Sequence, residues 1–190
     1  MGSITCAALV MLAFVVAGLA QTVFLKSAVS SRFAWPIDGG RSLGGRRIFG
    51  DNKTLRGFVV MLPAVTLCFA AVGLLASRGV FGGGVWPLTT AEWALLGLAA
   101  ALGYTLGELP NSFVKRRLGI PPGEHPAHPI GRRVVFVVDQ LDSIVAAMGV
   151  IALLVPTGWV FWAVCLGAGA VLHWLFNVLL HVIGVKRRAA

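Results

Sequence analysis

Apolar residues run along this chain in long blocks, and the polar residues collect in the intervals between them. Five blocks approach the length of about 20 residues that a bilayer core requires of a helix: about 4 to 25, 57 to 76, 91 to 108, 134 to 155 and 158 to 184. The third is the shortest, and the fourth opens beside two carboxylates, Asp139 and Asp142. The pattern predicts an all-α fold, an integral membrane bundle of about five transmembrane helices forming one domain over residues 1–190. Two long polar loops, 26–56 and 109–133, fall on the same side of that bundle. The other side receives a Gly-rich loop, 79–90, with Trp86 and Trp93 expected as interfacial anchors, and a tight turn at Val155-Pro156-Thr157-Gly158.

Composition supports the same class. Hydrophobic residues make up 57% of the chain and the mean hydropathy is +0.86, against about 45–50% apolar residues in soluble domains, so no soluble domain is expected beside the bundle. Sixteen Lys and Arg stand against seven Asp and Glu, a net charge of +9. Fifteen of those sixteen lie in the two long loops and in the tail at Lys186, Arg187 and Arg188, and only Arg78 lies on the other side. The positive-inside rule then makes the long loops cytoplasmic, with the N-terminus outside and the C-terminus inside. Orientation accounts for the basic balance, and no nucleic-acid partner is expected. The first apolar run lacks a basic n-region and an A-x-A-like cleavage site, so it is expected to persist as a span. No internal repeat is present, which argues against a transporter built from two related halves. Cys6, Cys68 and Cys165 each sit in an apolar run without metal-ligand spacing and are read as packing residues.

The carboxylates carry the main functional signal. Six of the seven lie in or at the membrane edge of the long loops: Asp38, Asp51, Glu108, Glu124, Asp139 and Asp142. An acidic group at a membrane boundary is costly unless it is paired, hydrated or bound to a cation. If the third helix continues past its membrane end, Glu108, Asn111, Ser112 and Lys115 fall at i, i+3, i+4 and i+7 and share a face, provided Pro110 does not break the register. That face offers an oxygen ligand for a cation beside donors for a phosphate. Asp139 and Asp142, three positions apart on a helix, point the same way and can share a divalent cation through hard oxygen ligands.

The first long loop contains Gly44-Gly45-Arg46-Arg47-Ile48-Phe49-Gly50-Asp51-Asn52-Lys53-Thr54, which comes close to a P-loop. Asp51 and Asn52 intervene before Lys53-Thr54, and the loop follows a membrane helix instead of a strand, so the P-loop reading fails on spacing and context. Its chemistry survives: glycines admit an anion close to the backbone, and Lys53, Arg56 and the Thr54 hydroxyl supply donors. In the last apolar run, His173, Asn177 and His181 recur at i, i+4 and i+8 and are expected to face the bundle interior as hydrogen-bonding groups. His125 and His128 lie in a Pro-rich part of the second long loop, and no role is assigned to them.

Taken together, these segments resemble the CDP-archaeol synthases. The matching segments are Arg47 to Gly57 with its Asn52-Lys53-Thr54-Leu55-Arg56-Gly57, Gly107-Glu108-Leu109 followed by Ser112-Phe113-Val114-Lys115-Arg116-Arg117, Asp139-Gln140-Leu141-Asp142, and the closing helix with Leu172-His173, Asn177 and Val182 to Lys186. Glu108 stands where the family pattern more often has Asp, and Pro121 to Ile130 departs from it. The resemblance implies transfer of a cytidylyl group from CTP to a lipid phosphate in the inner leaflet, releasing pyrophosphate. It implies Lys53, Arg56, Lys115 and Asp142 as catalytic groups, and Glu108, Asp139 and Asp142 as ligands of Mg²⁺ or another divalent cation. Asn52, Thr54, Asn111, Ser112, Arg116 and Arg117 become substrate-binding residues of a multi-pass cell-membrane enzyme with its site on the cytoplasmic side. Two alternatives stay open: phosphatidate as acceptor in place of an ether-linked isoprenoid lipid, and a membrane transporter or channel without enzymatic activity.

Overall fold

The computed structural model describes residues 4–124 and 126–185. Five long helices account for the bundle: α1 (Ile4–Lys26), α2 (Leu55–Ser77), α3 (Thr90–Arg117), α4 (Pro129–Leu154) and α5 (Trp159–Val182). They follow the five apolar blocks of the sequence, with two extensions into polar territory: α3 runs on through Pro110 to Arg117, and α4 begins at Pro129. Pro at the first helical position lacks only an N–H that would have no intrahelical partner anyway, which explains the early start of α4. Lys186, Arg187, Arg188 and His125 lie outside the described residues.

Four helices, α1, α2, α4 and α5, are long and apolar enough to cross a membrane. α3 is more polar because it is the central helix, packed against α2 on one side and α4 on the other. Its buried side chains include Trp93, Leu96, Ala100, Ala101 and Thr105. Small residues allow this close packing. A Cβ at Gly103 would stand 3.0 Å from the Ala146 carbonyl oxygen, and one at Gly107 would collide with the Ala146 Cβ and stand 3.0 Å from the Asp142 carbonyl oxygen. The α3 and α4 backbones therefore approach closely where the carboxylates lie, as small-residue stripes permit between membrane helices.

The end of the bundle away from the long loops is aromatic. Trp86 and Trp93 are not interfacial anchors as expected; they are 2% and 1% exposed and belong to the core. Their rings lie 5.5 Å apart, Phe69 and Phe161 pack against them, and Trp86 Nε1 donates to the Pro156 carbonyl at 2.9 Å. Composition places aromatic residues near a boundary, but the fold of the 79–90 loop turns Trp86 inward, and Trp93 lies on the face of α3 that packs against α2. α3 begins just beyond with a capping box: the Thr89 hydroxyl accepts from Glu92 N at 3.2 Å, and Glu92 Oε2 accepts from Thr89 N at 2.8 Å. That assigns the seventh carboxylate, Glu92, a structural task. Cys6 and Cys165 are fully buried packing residues.

The first long loop is ordered by two clasps. It contains a 3-10 turn (Ala28–Phe33) and a short hairpin of β1 (Ser42–Leu43) and β2 (Arg46–Arg47), in which Ser42 pairs with Arg47 and Leu43 with Arg46. Gly44 and Gly45, at φ of 56° and 73°, supply the left-handed backbone that a two-residue hairpin turn requires. Asp38 forms the first clasp: its buried carboxylate accepts from Arg47 Nη2 at 2.6 Å and from the backbone N–H groups of Gly40, Phe49 and Gly50 at 3.0, 3.0 and 3.2 Å. Arg117 forms the second, donating from the end of α3 to the carbonyls of Leu43, Arg46 and Arg47.

Burial opposes ionisation of Asp38, but the hydrogen bonds from Arg47, Phe49, Gly50 and Gly40 outweigh it and hold the carboxyl at about 2, below its ordinary 3.8. A depressed folded value stabilises the loop above the unfolded value, and that contribution is lost as pH falls through the folded value. Protection of the Phe49 and Gly50 amides against hydrogen exchange is therefore expected to persist to about pH 4 and to collapse toward pH 2. Asp38→Asn should weaken the loop by about 1–3 kcal/mol already at neutral pH, because the backbone donors lose a charged acceptor. Equal protease resistance of the loop in variant and wild type would refute the clasp.

Candidate active site

The polar groups that the loops and helix ends bring together form one connected chain. Lys53, just before α2, pairs with Glu108 Oε2 on α3. Ser143 on α4 donates to Glu108 Oε1 at 3.2 Å, and its hydroxyl and backbone nitrogen lie 3.2 and 2.6 Å from Asp142 Oδ1. Asn111 Nδ2 then bridges the two α4 carboxylates, at 2.7 Å from Asp142 Oδ2 and 2.6 Å from Asp139 Oδ1. Lys115 Nζ closes the chain on the same Asp139 oxygen at 2.6 Å. Three carboxylates thus lie between two lysines, one at each end.

Helix geometry explains the convergence. Glu108, Asn111 and Lys115 share a face because α3 remains helical through Pro110, and Asp139 and Asp142 share a face of α4, as their spacing predicts. Ser112 belongs to the same α3 register but is buried, 3% exposed. Lys115, Arg116 and Arg117 are consecutive and so point about 100° apart around the helix. Lys115 reaches Asp139, Arg117 grips the hairpin, and Arg116 turns inward, 6% exposed. Arg116 Nε and Nη1 are buried and make no hydrogen bond. Buried donors without acceptors are costly even with the Asp139 charge nearby, and an anion is the chemistry that satisfies them. Its stem lies beside Gly50, Asn52 and Pro122, where a Cβ on Gly50 would stand 3.7 Å from Arg116 Cδ and 2.9 Å from Pro122 Cγ.

On the Lys53 side lies a cavity of about 260 Å³ lined by the first loop and by α1, α2, α3 and α5. Asn52, Lys53, Thr54, Arg56 and Glu108 form its polar mouth, and Gln21, Thr22, Tyr104, His173 and Asn177 lie on its walls. Thr54 is the N-cap residue of α2 without using its side chain as a cap, so its hydroxyl is not committed to the helix. The amide nitrogens of the first turn of α2 add the donors of a helix N-terminus. Arg56 is steadied by donation from Nε to the Ser30 carbonyl at 2.9 Å. Of the expected stripe on α5, His173 and Asn177 reach this cavity, whereas His181 is exposed. His128 is the exposed N-cap position of α4 and makes no side-chain cap.

Sequence reasoning passed over Ser143, Tyr104 and Gln21. The available signals were position alone: Ser143 follows Asp142, and Tyr104, the chain's single tyrosine, precedes Glu108 by one helical turn. Among the described residues, no group of three or more His, Cys, Asp or Glu side chains is placed to hold a metal ion. Asn111 Nδ2 joins Asp139 and Asp142 by donating to one oxygen of each, and both are hard oxygen donors of the kind that holds Mg²⁺ together with water and substrate phosphate.

Fold and site define a multi-pass membrane protein with a centre of three carboxylates and two lysines at one end of its bundle. The chain matches the CarS-like family, CDP-archaeol synthase, over residues 8–188. It is 40% identical over 158 residues to a CDP-archaeol synthase of Halobacterium salinarum, covering 80% of this chain and 81% of that one. It is 33% identical over 153 residues to a CDP-archaeol synthase of Saccharolobus solfataricus, covering 80% and 79%. A solved structure described as an intramembrane enzyme for archaeal membrane lipids biosynthesis matches with a TM-score of 0.58 and 29% identity, over 96% of this chain and 94% of that one. The chain belongs to the CDP-archaeol synthase family, as its motifs implied.

Proposed function

We propose that the protein transfers CMP from CTP to an ether-linked isoprenoid glycerol phosphate, forming a CDP-lipid and pyrophosphate at the cytoplasmic face of the membrane. The observation that carries this reading is the chain from Lys53 through Glu108, Asp142 and Asp139 to Lys115, whose Lys53–Glu108 end lines a cavity with apolar walls from α1, α2, α3 and α5. An oxygen of the lipid phosphate attacks the α-phosphorus of CTP. The new P–O bond forms as the bond from the α-phosphorus to the bridging oxygen breaks, and pyrophosphate leaves with that electron pair. A phosphate monoester is largely dianionic near neutral pH, so no general base is required, and the protein's task is alignment and charge neutralisation.

Lys53, Arg56, Asn52 and Thr54 are assigned to the lipid phosphate, since they line the cavity that reaches the interior. Lys115 and Arg116 are assigned to the triphosphate. Asn111 and Ser143 hold the carboxylates in place, and Ser112 supports the α3 face from within. Arg117, whose guanidinium is engaged by three backbone carbonyls, serves this site through the first loop. Asp139 and Asp142, with Glu108 beside them, would hold Mg²⁺, which when bound offsets negative charge developing on the transferring phosphoryl group. The excess of basic residues on the loop side supports a cytoplasmic site.

Purified protein in detergent, given CTP, a divalent cation and equal amounts of the isoprenoid ether lipid phosphate and phosphatidate, should yield chiefly the CDP-ether lipid by mass spectrometry. Chiefly CDP-diacylglycerol would reassign the acceptor. No CDP-lipid from either, with solute flux in liposomes, would refute enzymatic transfer.

A further inference from the structure

The cavity behind the Lys53–Glu108 pair adjoins a smaller apolar one of about 40 Å³, bordered by α1, α3, α4 and α5. Phe14, Tyr104, His173 and Phe176 line both. Among the residues lining the apolar cavity, Tyr104 and His173 are the polar side chains; the others are aliphatic, aromatic, Met or Gly. Tyr104 Oη lies 3.4 Å from His173 Nδ1, and Phe14 packs on the Tyr104 ring at 5.0 Å between centroids. Tyr104 stands four residues before Glu108 on α3, about 6 Å deeper along the helix axis. A polar pair is thus fixed at the junction between the charged mouth and the apolar interior.

We propose that Tyr104 and His173 determine acceptor specificity as a pair, with His173 Nδ1–H held on the Tyr104 oxygen and the Tyr104 O–H donated to a glycerol oxygen of the lipid. The inference rests on the assignment of the larger cavity to the lipid phosphate. A lipid with its phosphate at Lys53, Arg56 and Thr54 and its next atoms directed toward the apolar cavity meets this pair, which lines both cavities. The atoms that follow the phosphate in a glycerolipid are the glycerol carbons and their two ether or ester oxygens, over a distance comparable to one helical turn. Those oxygens accept hydrogen bonds, and a phenol O–H whose oxygen accepts from the imidazole N–H is a donor that matches them. A plain isoprenoid alcohol phosphate presents only hydrocarbon at this depth, and the unmet Tyr104 hydroxyl then favours the glycerol lipid by up to about tenfold.

Native mass spectrometry of the detergent-solubilised protein, without CTP, can compare binding of a diether glycerol phosphate with that of geranylgeranyl phosphate. Wild type should prefer the glycerol lipid, and Tyr104→Phe should shrink that preference about tenfold through weaker binding of the glycerol lipid alone. His173→Leu should act in the same direction, and His173→Gln, which keeps a donor, should restore most of the preference. The same ratio in wild type, Tyr104→Phe and His173→Leu would overturn the proposal. A parallel assay with CTP separates the two readings: loss of cytidylyl transfer in wild type refutes the reaction, while the binding ratio decides the role of the pair.

Discussion

Asp142→Asn is expected to reduce CDP-lipid formation by about three orders of magnitude, or about 4 kcal/mol of transition-state stabilisation. Asp142 occupies the middle of the chain: Oδ1 accepts from Ser143 and Oδ2 from Asn111, whose other partner is Asp139. Asparagine matches its size and keeps one acceptor, so the helices retain their packing. Removing one of three neighbouring carboxylates also relieves like-charge repulsion. Thermal melting of the purified variant should therefore stay close to that of wild type, while the cation concentration needed for residual turnover rises. A well-folded Asp142→Asn protein with normal turnover would remove Asp142 from the catalytic centre.

Arg116→Met should show the second large effect, and stability and activity should move independently. The guanidinium is buried with Nε and Nη1 unsatisfied, although the Asp139 charge acts on it. Methionine of similar length removes that desolvation burden, so the melting temperature should hold or rise. Charge-assisted hydrogen bonds to the triphosphate are each worth about 1.5–3 kcal/mol, so kcat/KM for CTP should fall about 10- to 100-fold. KM for the lipid phosphate should change little, because the lipid is assigned to the Lys53 side. A destabilised Arg116→Met protein with unchanged KM for CTP would make the residue structural.

The helices were legible in the sequence because a bilayer demands long apolar blocks; each block became a helix, with α3 running nine residues past its expected end and α4 starting five residues early where the helices extend into polar sequence. The α3 face was legible too, since the helical period continues through Pro110 and brings Glu108, Asn111 and Lys115 to the α4 carboxylates. Asp139 and Asp142 followed from spacing alone. What periodicity could not supply was the direction of neighbouring side chains in a basic run. Lys115, Arg116 and Arg117 look alike in one dimension, yet one joins the carboxylates, one is buried and one clasps the hairpin. The burial of Trp86 depends on the path of a loop and that of Trp93 on which face of α3 meets α2, neither of which composition encodes. Ser143, Tyr104 and Gln21 are ordinary residue types whose importance comes only from what the fold sets opposite them.

The central claim is that this bundle end moves the α-phosphoryl group of CTP onto a lipid phosphate. It is tested most directly by following CTP labelled at the α- or the γ-phosphorus with purified protein, Mg²⁺ and the isoprenoid glycerol phosphate. The account predicts that α-label enters the organic phase as CDP-lipid, that γ-label stays in water as pyrophosphate in equal amount, and that chelation of the cation stops both. Label from the γ-position in the lipid, or α-label confined to the water phase with an intact, lipid-loaded protein, would contradict it.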